Sequence, residues 1–200
     1  HYLINDGWKF FRYEDSNVKP DSLIYEVRPD LLEKTDDKPA DAEPTEKVMV
    51  NQYARVLKPW ILPTGNPFIR NRSNQYTRPE GDPGADFPFV RSDYDDALWE
   101  SVRLPHDWAI KGPFYEGKEA TVGGGMGRLP VHGNAWYRRK LFIPEADVGK
   151  SIFLEVDGAM SYAMVWLNGH LVGGWPYGYA SWRLDLTPFI KVGRPNQLAI

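Results

Sequence analysis

Short apolar alternations separated by turn residues fill the last third of the chain, and they constrain the fold more than any other feature. Residues 151–156 alternate apolar and polar side chains as a half-buried strand does. Residues 164–173 form a predicted hairpin, because an Asn-Gly pair at 168–169 supplies the two positive-φ positions of a type I′ turn. Further strands are predicted at 183–187 and 197–200. This spacing predicts an all-β sandwich or jelly roll.

The front of the chain and its middle add strands of the same kind. Residues 1–14 contain an Asp-Gly turn and then an aromatic strand, in which Trp8 and Phe10 share one face. Strands are also predicted at 101–105 and 135–143. The glycine run at 123–127 is a weak phosphate-binding signal, because neither Lys-Ser/Thr nor a helix start follows it, and a tightly turned loop is the favoured interpretation. No amphipathic helix longer than about two turns is visible.

A long proline-rich insertion is predicted at about residues 15–93, which hold ten prolines. Proline removes ladder donors and breaks helices, so regular structure is disfavoured there. Residues 33–47 are charged and almost without large apolar groups, which predicts a solvated excursion. Residues 56–63 and 87–90 are apolar enough to pack, so the second half of the insertion is expected to be ordered.

Composition excludes several classes of protein. The chain has 24 Lys+Arg and 27 Asp+Glu, a formal net charge of -3, which gives no electrostatic reason to expect nucleic acid or an anionic membrane as partner. It has no cysteine, so cysteine chemistry is excluded. No apolar run approaches the roughly 20 residues that span a bilayer. Eight tryptophans indicate either a core of large rings or contact with sugar C–H faces.

The histidines do not form a metal motif. His106 and His132 have no second ligand at metal spacing, so hydrogen-bonded structural roles are favoured. His170 follows a tight turn and is expected to be exposed. We therefore expect no metal and no cofactor in this chain.

Five short motifs then occur in a fixed order. They are LPHDW at 104–108, WYRR at 136–139, VWLNG at 165–169, GYASW at 178–182 and DLTPFI at 185–190. Together they resemble the N-terminal sugar-binding jelly-roll domain of glycoside hydrolase family 2, which is galactose-binding-like. The resemblance covers residues 1–14 and 94–200. The insertion departs from it, although RPEGDPG at 78–84 looks like a decoration of bacterial polysaccharide-degrading members.

The resemblance implies a multi-domain retaining enzyme. An immunoglobulin-like domain and a TIM barrel with two catalytic Glu residues are expected downstream, so this chain is expected to hold no catalytic residue. We expect the domain to be truncated at its C-terminal end, since the run that reaches Ile200 reads as a strand. The expected partners are the carbohydrate substrate, the downstream domains of the same polypeptide and a possible second copy of the protein, with no nucleic acid and no membrane.

The resemblance also implies that a loop at about 107–128 shapes the terminal-sugar pocket. The candidate substrate-binding residues are Asp107, Trp108, His106 and Arg128. Asp107 can accept hydrogen bonds from two sugar hydroxyls, or it can accept backbone N–H groups in a turn. Trp108 is alternatively a core ring, and Arg128 either binds an acidic or sulfated sugar or lies in solvent. The aromatic turn at 175–179 is expected to pack the sandwich.

The predicted function is that of a non-catalytic domain of a β-galactosidase, with β-glucuronidase and β-mannosidase left open. A stand-alone carbohydrate-binding module is the first alternative, because fold does not settle function. A module that mainly buries a face of a barrel or of a partner subunit is the second. A secreted or periplasmic bacterial location is expected from the apparently trimmed start and from the decoration at 78–84.

Overall fold

A computed structural model of the chain describes residues 1–13, 23–24, 55–56, 58–111, 135–160 and 162–200. The described strands are β1 (Trp8–Arg12), β2 (Leu23–Ile24), β3 (Arg55–Val56), β4 (Glu100–Val102), β5 (Ala135–Phe142), β6 (Phe153–Val156), β7 (Ala163–Leu167), β8 (His170–Trp175), β9 (Trp182–Asp185) and β10 (Pro195–Ala199). In the same ranges there is one α-helix, α1 (Lys58–Ile61), and the 3-10 helices are Leu62–Phe68, Arg72–Asn74, Pro88–Val90, Ala109–Lys111, Glu145–Asp147 and Thr187–Phe189. None of these helices is long and apolar enough to cross a membrane.

A six-stranded antiparallel sheet organises the molecule, with strand order β4-β1-β5-β10-β7-β8. Strand β1 pairs with both β4 and β5, and β10 joins β5 to β7. Strands β2 and β3 form a separate short parallel pair. Neighbouring strands of the large sheet are therefore distant in sequence, and only the β7–β8 pair is a hairpin.

The β7–β8 hairpin turns as its sequence predicts. Asn168 has φ 54° and Gly169 has φ 88°, and Leu167 pairs with His170 across the two-residue turn. The Asn168 side chain also donates to the Phe189 carbonyl at 2.9 Å. The predicted type I′ signal is confirmed in its two positive-φ positions.

A second, smaller sheet covers one face of the large one. Strands β6 and β9 pair antiparallel, with Leu154 opposite Leu184. The inner core is the set of buried side chains between the two sheets, namely Trp8, Leu141, Leu154, Val165, Leu167, Trp182, Leu184, Leu186 and Leu198. Two antiparallel sheets around this core agree with the predicted β-sandwich.

The other face of the large sheet is buried too, by residues 58–99, which we call the covering segment. The outer core between them has the buried members Ile61, Val90, Trp99, Trp136, Trp166, Leu171 and Ala199. Ile61 and Val90 come from the two runs predicted to pack, and that prediction is confirmed. Residues 33–47, predicted to be a solvated excursion, lie outside the described residues. Because both faces of the sheet are covered, β5 and β7 bury side chains that point to either face.

Close approach of the covering segment to β8 requires two glycines. A Cβ at Gly173 would lie 2.5 Å from Thr64 Oγ1, and one at Gly174 would lie 2.2 Å from the Ala163 carbonyl oxygen. The Gly174 N–H donates to Thr64 Oγ1 at 3.2 Å. Any side chain at either glycine would force the covering segment or β7 away from β8.

Candidate functional site

The LPHDW motif at 104–108 follows directly from β4 and is anchored to the N-terminal segment. The Leu104 N–H donates to the Asn5 carbonyl at 2.9 Å, and the Leu104 side chain packs against the inner core. The Leu104–Pro105 peptide bond is cis. These contacts fix where the next three residues leave the sheet.

His106 lies among aromatic rings. Its Nδ1 is 2.9 Å from the Tyr137 hydroxyl on β5, and its ring meets Phe10 edge-on at a centroid distance of 4.7 Å. Burial raises the pKa of Tyr137 above its ordinary range, and the negative charges of Asp107 and Glu100 add to this effect. Tyr137 therefore stays a neutral hydroxyl, which can donate to Nδ1 and leave the imidazole proton on Nε2. Nε2 is buried and has no hydrogen-bond partner among the described residues.

Trp108 packs on the same ring as His106. It stacks on Phe10 with centroids 5.7 Å apart and an interplanar angle of 28°. The indole is half-buried, and its Nε1 atom is buried without a hydrogen-bond partner in the described part of the chain. Buried polar groups usually have a partner, and these two nitrogens are among seven buried side-chain atoms of the described residues that have none.

Asp107 stands between these two rings in sequence and is exposed. Its Oδ1 accepts the Ala109 N–H at 2.9 Å, which closes a turn into the 3-10 helix Ala109–Lys111. One carboxylate oxygen therefore makes the predicted backbone contact. The second oxygen leaves room for the predicted contact to a hydroxyl, so both interpretations of Asp107 fit this geometry.

The structure brings three of the four predicted substrate-binding residues together at the edge of the inner core. The fourth, Arg128, lies outside the described residues, as do His132 and the glycine run at 123–127. The sequence did not identify Tyr137 and Phe10 as residues that support the motif from β5 and β1. The available signals were the WYRR motif and the alternation that buries Phe10.

A second polar cluster ties the covering segment to the β7–β8 hairpin. Asp82 accepts hydrogen bonds from Arg78 at 2.9 Å and from His170 Nδ1 at 2.8 Å. Arg78 also donates to the Leu171 carbonyl at 3.0 Å, and the ring of Phe189 stacks on His170 at 5.3 Å. The residues of RPEGDPG therefore hold two segments together. His170 was expected to be exposed, and its side chain is 45% exposed while bonded to Asp82.

An open cleft of about 440 Å³ adjoins this cluster and is lined by Asp82, Ala85, Arg91, Ser92, Asp93, Asn168, Gly169 and His170. Its charges are already paired, because Asp93 binds Arg91 at 2.7 Å and Asp82 binds His170. The described residues contain no group of three or more His, Asp or Glu side chains that could hold a metal ion. The cleft therefore joins two segments and has no set of free ligands.

Comparison with known proteins assigns the second half of the chain. A family model described as "Glycosyl hydrolase 2 galactose-binding domain-like" matches residues 103–200. The chain therefore carries the galactose-binding-like N-terminal domain of glycoside hydrolase family 2. The match includes the LPHDW motif from its first residue and every strand from β5 onward, so the resemblance inferred from the five motifs is confirmed.

Relatives of this galactose-binding-like domain include glycosidases of two kinds. The chain is 42% identical to the beta-galactosidase BoGH2A of Bacteroides ovatus over 107 residues, which is 54% of this chain and 12% of the relative. It is 34% identical over 112 residues to a putative beta-glucuronidase of Formosa agariphila, which is 56% of this chain and 10% of that relative. The crystal structure of a beta-glycosidase from Bacteroides vulgatus matches with a TM-score of 0.50 and 37% identity, covering 60% of this chain and 15% of that one.

The chain thus spans only about a tenth of the length of the curated relatives that it matches. It is homologous to family 2 glycoside hydrolases over one domain. Its relatives divide between β-galactosidases and β-glucuronidases, so the comparisons support glycosidase membership and do not select the sugar.

Proposed function

We propose that this chain is the non-catalytic N-terminal domain of a retaining, exo-acting β-galactosidase, and that it helps to shape the pocket for the terminal sugar. The observation that carries the proposal is the arrangement at 104–108. The exposed carboxylate of Asp107 is held in its turn by the Ala109 N–H, between the half-buried rings of His106 and Trp108. The hydroxyl groups of a sugar can donate to such a carboxylate.

β-Galactosidase is preferred as the parent activity because a relative of that name is 42% identical to this chain. β-Glucuronidase is the second candidate, supported by a relative at 34% identity. A glucuronide differs from a galactoside by a carboxylate, which needs a cationic partner. Arg128 is the candidate in this chain for that partner in the second case.

The architecture that we propose has an immunoglobulin-like domain and a catalytic TIM barrel after this domain, in a secreted or periplasmic bacterial protein. Residues 15–93 are proposed to be an insertion, because the family match begins at residue 103 and the covering segment lies before it. Under this proposal the 200-residue chain alone hydrolyses no glycoside. Hydrolysis by the isolated chain would overturn it.

The central test is Asp107→Asn in the full-length protein that contains this chain. Asparagine keeps the oxygen that accepts the Ala109 N–H and removes the charge, so the local turn is preserved. We expect kcat/KM on 4-nitrophenyl β-galactoside to fall about 100-fold, a size typical of a lost charge-assisted hydrogen bond to substrate.

The matched control is Asp95→Asn. The Asp95 carboxylate is also exposed and accepts the Ala97 N–H at 3.0 Å, two residues along, as Asp107 does with Ala109. This variant is expected to retain wild-type kcat/KM. If both variants are equally active, the pocket role of Asp107 is wrong.

A panel of 4-nitrophenyl galactoside, glucuronide and mannoside then identifies the parent sugar by the largest kcat/KM.

A further inference from the structure

Two loops meet at one end of the sandwich, and we call residues 157–160 and 176–181 the rim loops. The first follows β6 and the second joins β8 to β9. The Ser181 hydroxyl donates to the Asp157 carbonyl at 3.2 Å, and the Tyr162 N–H, just beyond the first loop, donates to the Pro176 carbonyl at 3.1 Å. The rim loops are therefore bonded to each other at both ends of their contact.

Between those bonds the two backbones are in direct contact. A Cβ at Gly178 would lie 2.6 Å from Met160 Sδ and 2.9 Å from its Cα, and one at Gly158 would lie 2.9 Å from the Gly178 carbonyl oxygen. Met160 thus packs on Gly178, the residue between Tyr177 and Tyr179. This contact fixes the backbone positions from which the three large side chains project.

These three side chains face water. Tyr177 is 59% exposed, Tyr179 76% and Met160 62%, and the two tyrosine rings lie 5.8 Å apart at 59°. The sequence-based expectation that this aromatic turn packs the sandwich is wrong for both tyrosines. The reason is that Trp175 and Trp182, on the strands at either side, already supply the rings that pack on the inner core.

We propose that Tyr177, Tyr179 and Met160 form a binding surface for a neutral oligosaccharide. The C–H faces of pyranose rings stack on tyrosine rings, which offer a large area at low entropy cost. The Asp157 carboxylate and the Ser181 hydroxyl belong to the same loops and can bond sugar hydroxyls. The rim loops contain no Lys or Arg, so they offer no partner for an acidic sugar.

The size and shape of the surface favour a single glycan chain. The exposed parts of the three side chains amount to roughly 300–400 Å², about half of the ~800 Å² that each partner contributes to a typical protein interface. Rings at 59° to each other cannot lie on one flat surface. They can instead contact two sugars of one twisted chain. This surface uses none of the residues of the proposed pocket loop.

The test is affinity electrophoresis of the full-length protein in cold gels that contain a neutral galactan, a neutral glucomannan or polygalacturonate. We expect at least one neutral polysaccharide to retard the wild type and polygalacturonate to have no effect. The double variant Tyr177→Ala, Tyr179→Ala is expected to weaken the retardation at least 10-fold. The double Phe variant, which keeps both rings, is expected to retain most of it.

Tyr2→Ala is the matched control, because Tyr2 is 83% exposed and belongs to neither rim loop. It is expected to leave retardation unchanged. The proposal is overturned if no neutral polysaccharide retards the wild type, or if the double Ala variant binds as the wild type does. It is also overturned if the double Ala variant changes only the sedimentation coefficient of the protein, which would indicate a protein partner. Failure here leaves the Asp107→Asn result untouched, because that test measures hydrolysis of a monosaccharide glycoside.

Discussion

Two layers of buried side chains lie on opposite faces of the six-stranded sheet, and they differ in composition. The inner core is mainly aliphatic, with seven Leu or Val among its nine buried members. The outer core is mainly aromatic, because three of its seven buried members are Trp and five Phe or Tyr of the chain's first half pack against them, together with Trp60. The inner core joins two sheets, whereas the outer core joins a sheet to a segment without strands.

Hydrogen bonding explains this difference. The covering segment holds six prolines, so it has more backbone carbonyls than N–H groups. Several of those carbonyls accept bonds from large side chains. Trp166 donates to the Pro83 carbonyl at 2.9 Å, and Arg138 donates to the Arg91 carbonyl at 2.8 Å. Trp and Arg fill space and also supply donors, which aliphatic side chains cannot do.

Leu198→Ala should have the largest effect, because Leu198 is fully buried in the inner core on the strand that joins β5 to β7. We expect the free energy of unfolding to fall by about 3–4 kcal/mol. Urea unfolding followed by tryptophan fluorescence measures it. Leu98→Ala is the control, since Leu98 is fully exposed and should change nothing. A loss below about 1 kcal/mol for Leu198→Ala would mean that the inner core is not the main source of stability.

Arg138→Met tests the outer core. Arg138 is fully buried, bonds the Asp96 carboxylate at 2.8 Å and lies over the rings of Tyr94 and Trp99. Methionine fills the space but leaves the carbonyl groups and the carboxylate without their donor, so we expect a loss of about 2–3 kcal/mol.

The loss from Arg138→Met should be local to one face. Hydrogen exchange is expected to accelerate in residues 91–99 and not in β6 and β9. Lys140→Met, an exposed position on the same strand, should leave exchange unchanged. Equal acceleration on both faces would show that the two cores unfold as one unit.

Asp82→Asn tests the bond between the covering segment and the hairpin. The Asp82 side chain is 30% exposed and binds both Arg78 and His170, so loss of its charge should cost about 1 kcal/mol. The midpoint of thermal unfolding measures this change. Asp93→Asn, in the exposed pair with Arg91, should give no measurable shift. If the two variants behave alike, the Asp82 cluster adds no more than a surface ion pair does.

Tyr137→Phe tests a smaller effect, the change of stability at high pH, which is separate from the pH-independent loss of the bond to His106. Because burial raises the pKa of Tyr137 in the folded chain above the 10.0 of a free phenol, the unfolded chain loses that proton first. Stability is therefore present below the unfolded pKa and falls as pH rises above it. We expect the Phe variant to reduce the slope of unfolding free energy against pH near pH ~10–11. An unchanged slope for Tyr137→Phe would contradict the burial argument.

Local sequence patterns predicted the strands and the hairpin turn of the sandwich, because these features depend on neighbouring residues alone. The Asn168-Gly169 turn and the alternation of Trp8 and Phe10 follow from backbone conformation and side-chain direction within a few residues. The alternation could not predict Arg138, which lies among three consecutive basic residues of β5 and is nevertheless fully buried. Its partners at positions 91–96 are more than 40 residues away in sequence.

The candidate site also has features that the sequence predicted and features that depend on contacts between distant segments. The LPHDW motif identified His106, Asp107 and Trp108 from sequence, and the turn made by Asp107 was one of its two expected roles. The bond from His106 to Tyr137 and the stacking of Trp108 on Phe10 depend on the pairing of β1 with β5, across more than 120 residues. No local pattern specifies which rings such a pairing brings together.

The amino-acid sequence by itself determined the strands, the hairpin turn, the family and the position of the candidate motif, because these depend on local backbone preference and on short motifs. Only the tertiary structure decided that the large sheet is buried on both faces and that Tyr177 and Tyr179 remain in water. The physical reason is that burial depends on which segments, distant in sequence, pack on a surface. The proline-rich covering segment takes the outer face, and the strand tryptophans take the inner core, which leaves the rim tyrosines exposed.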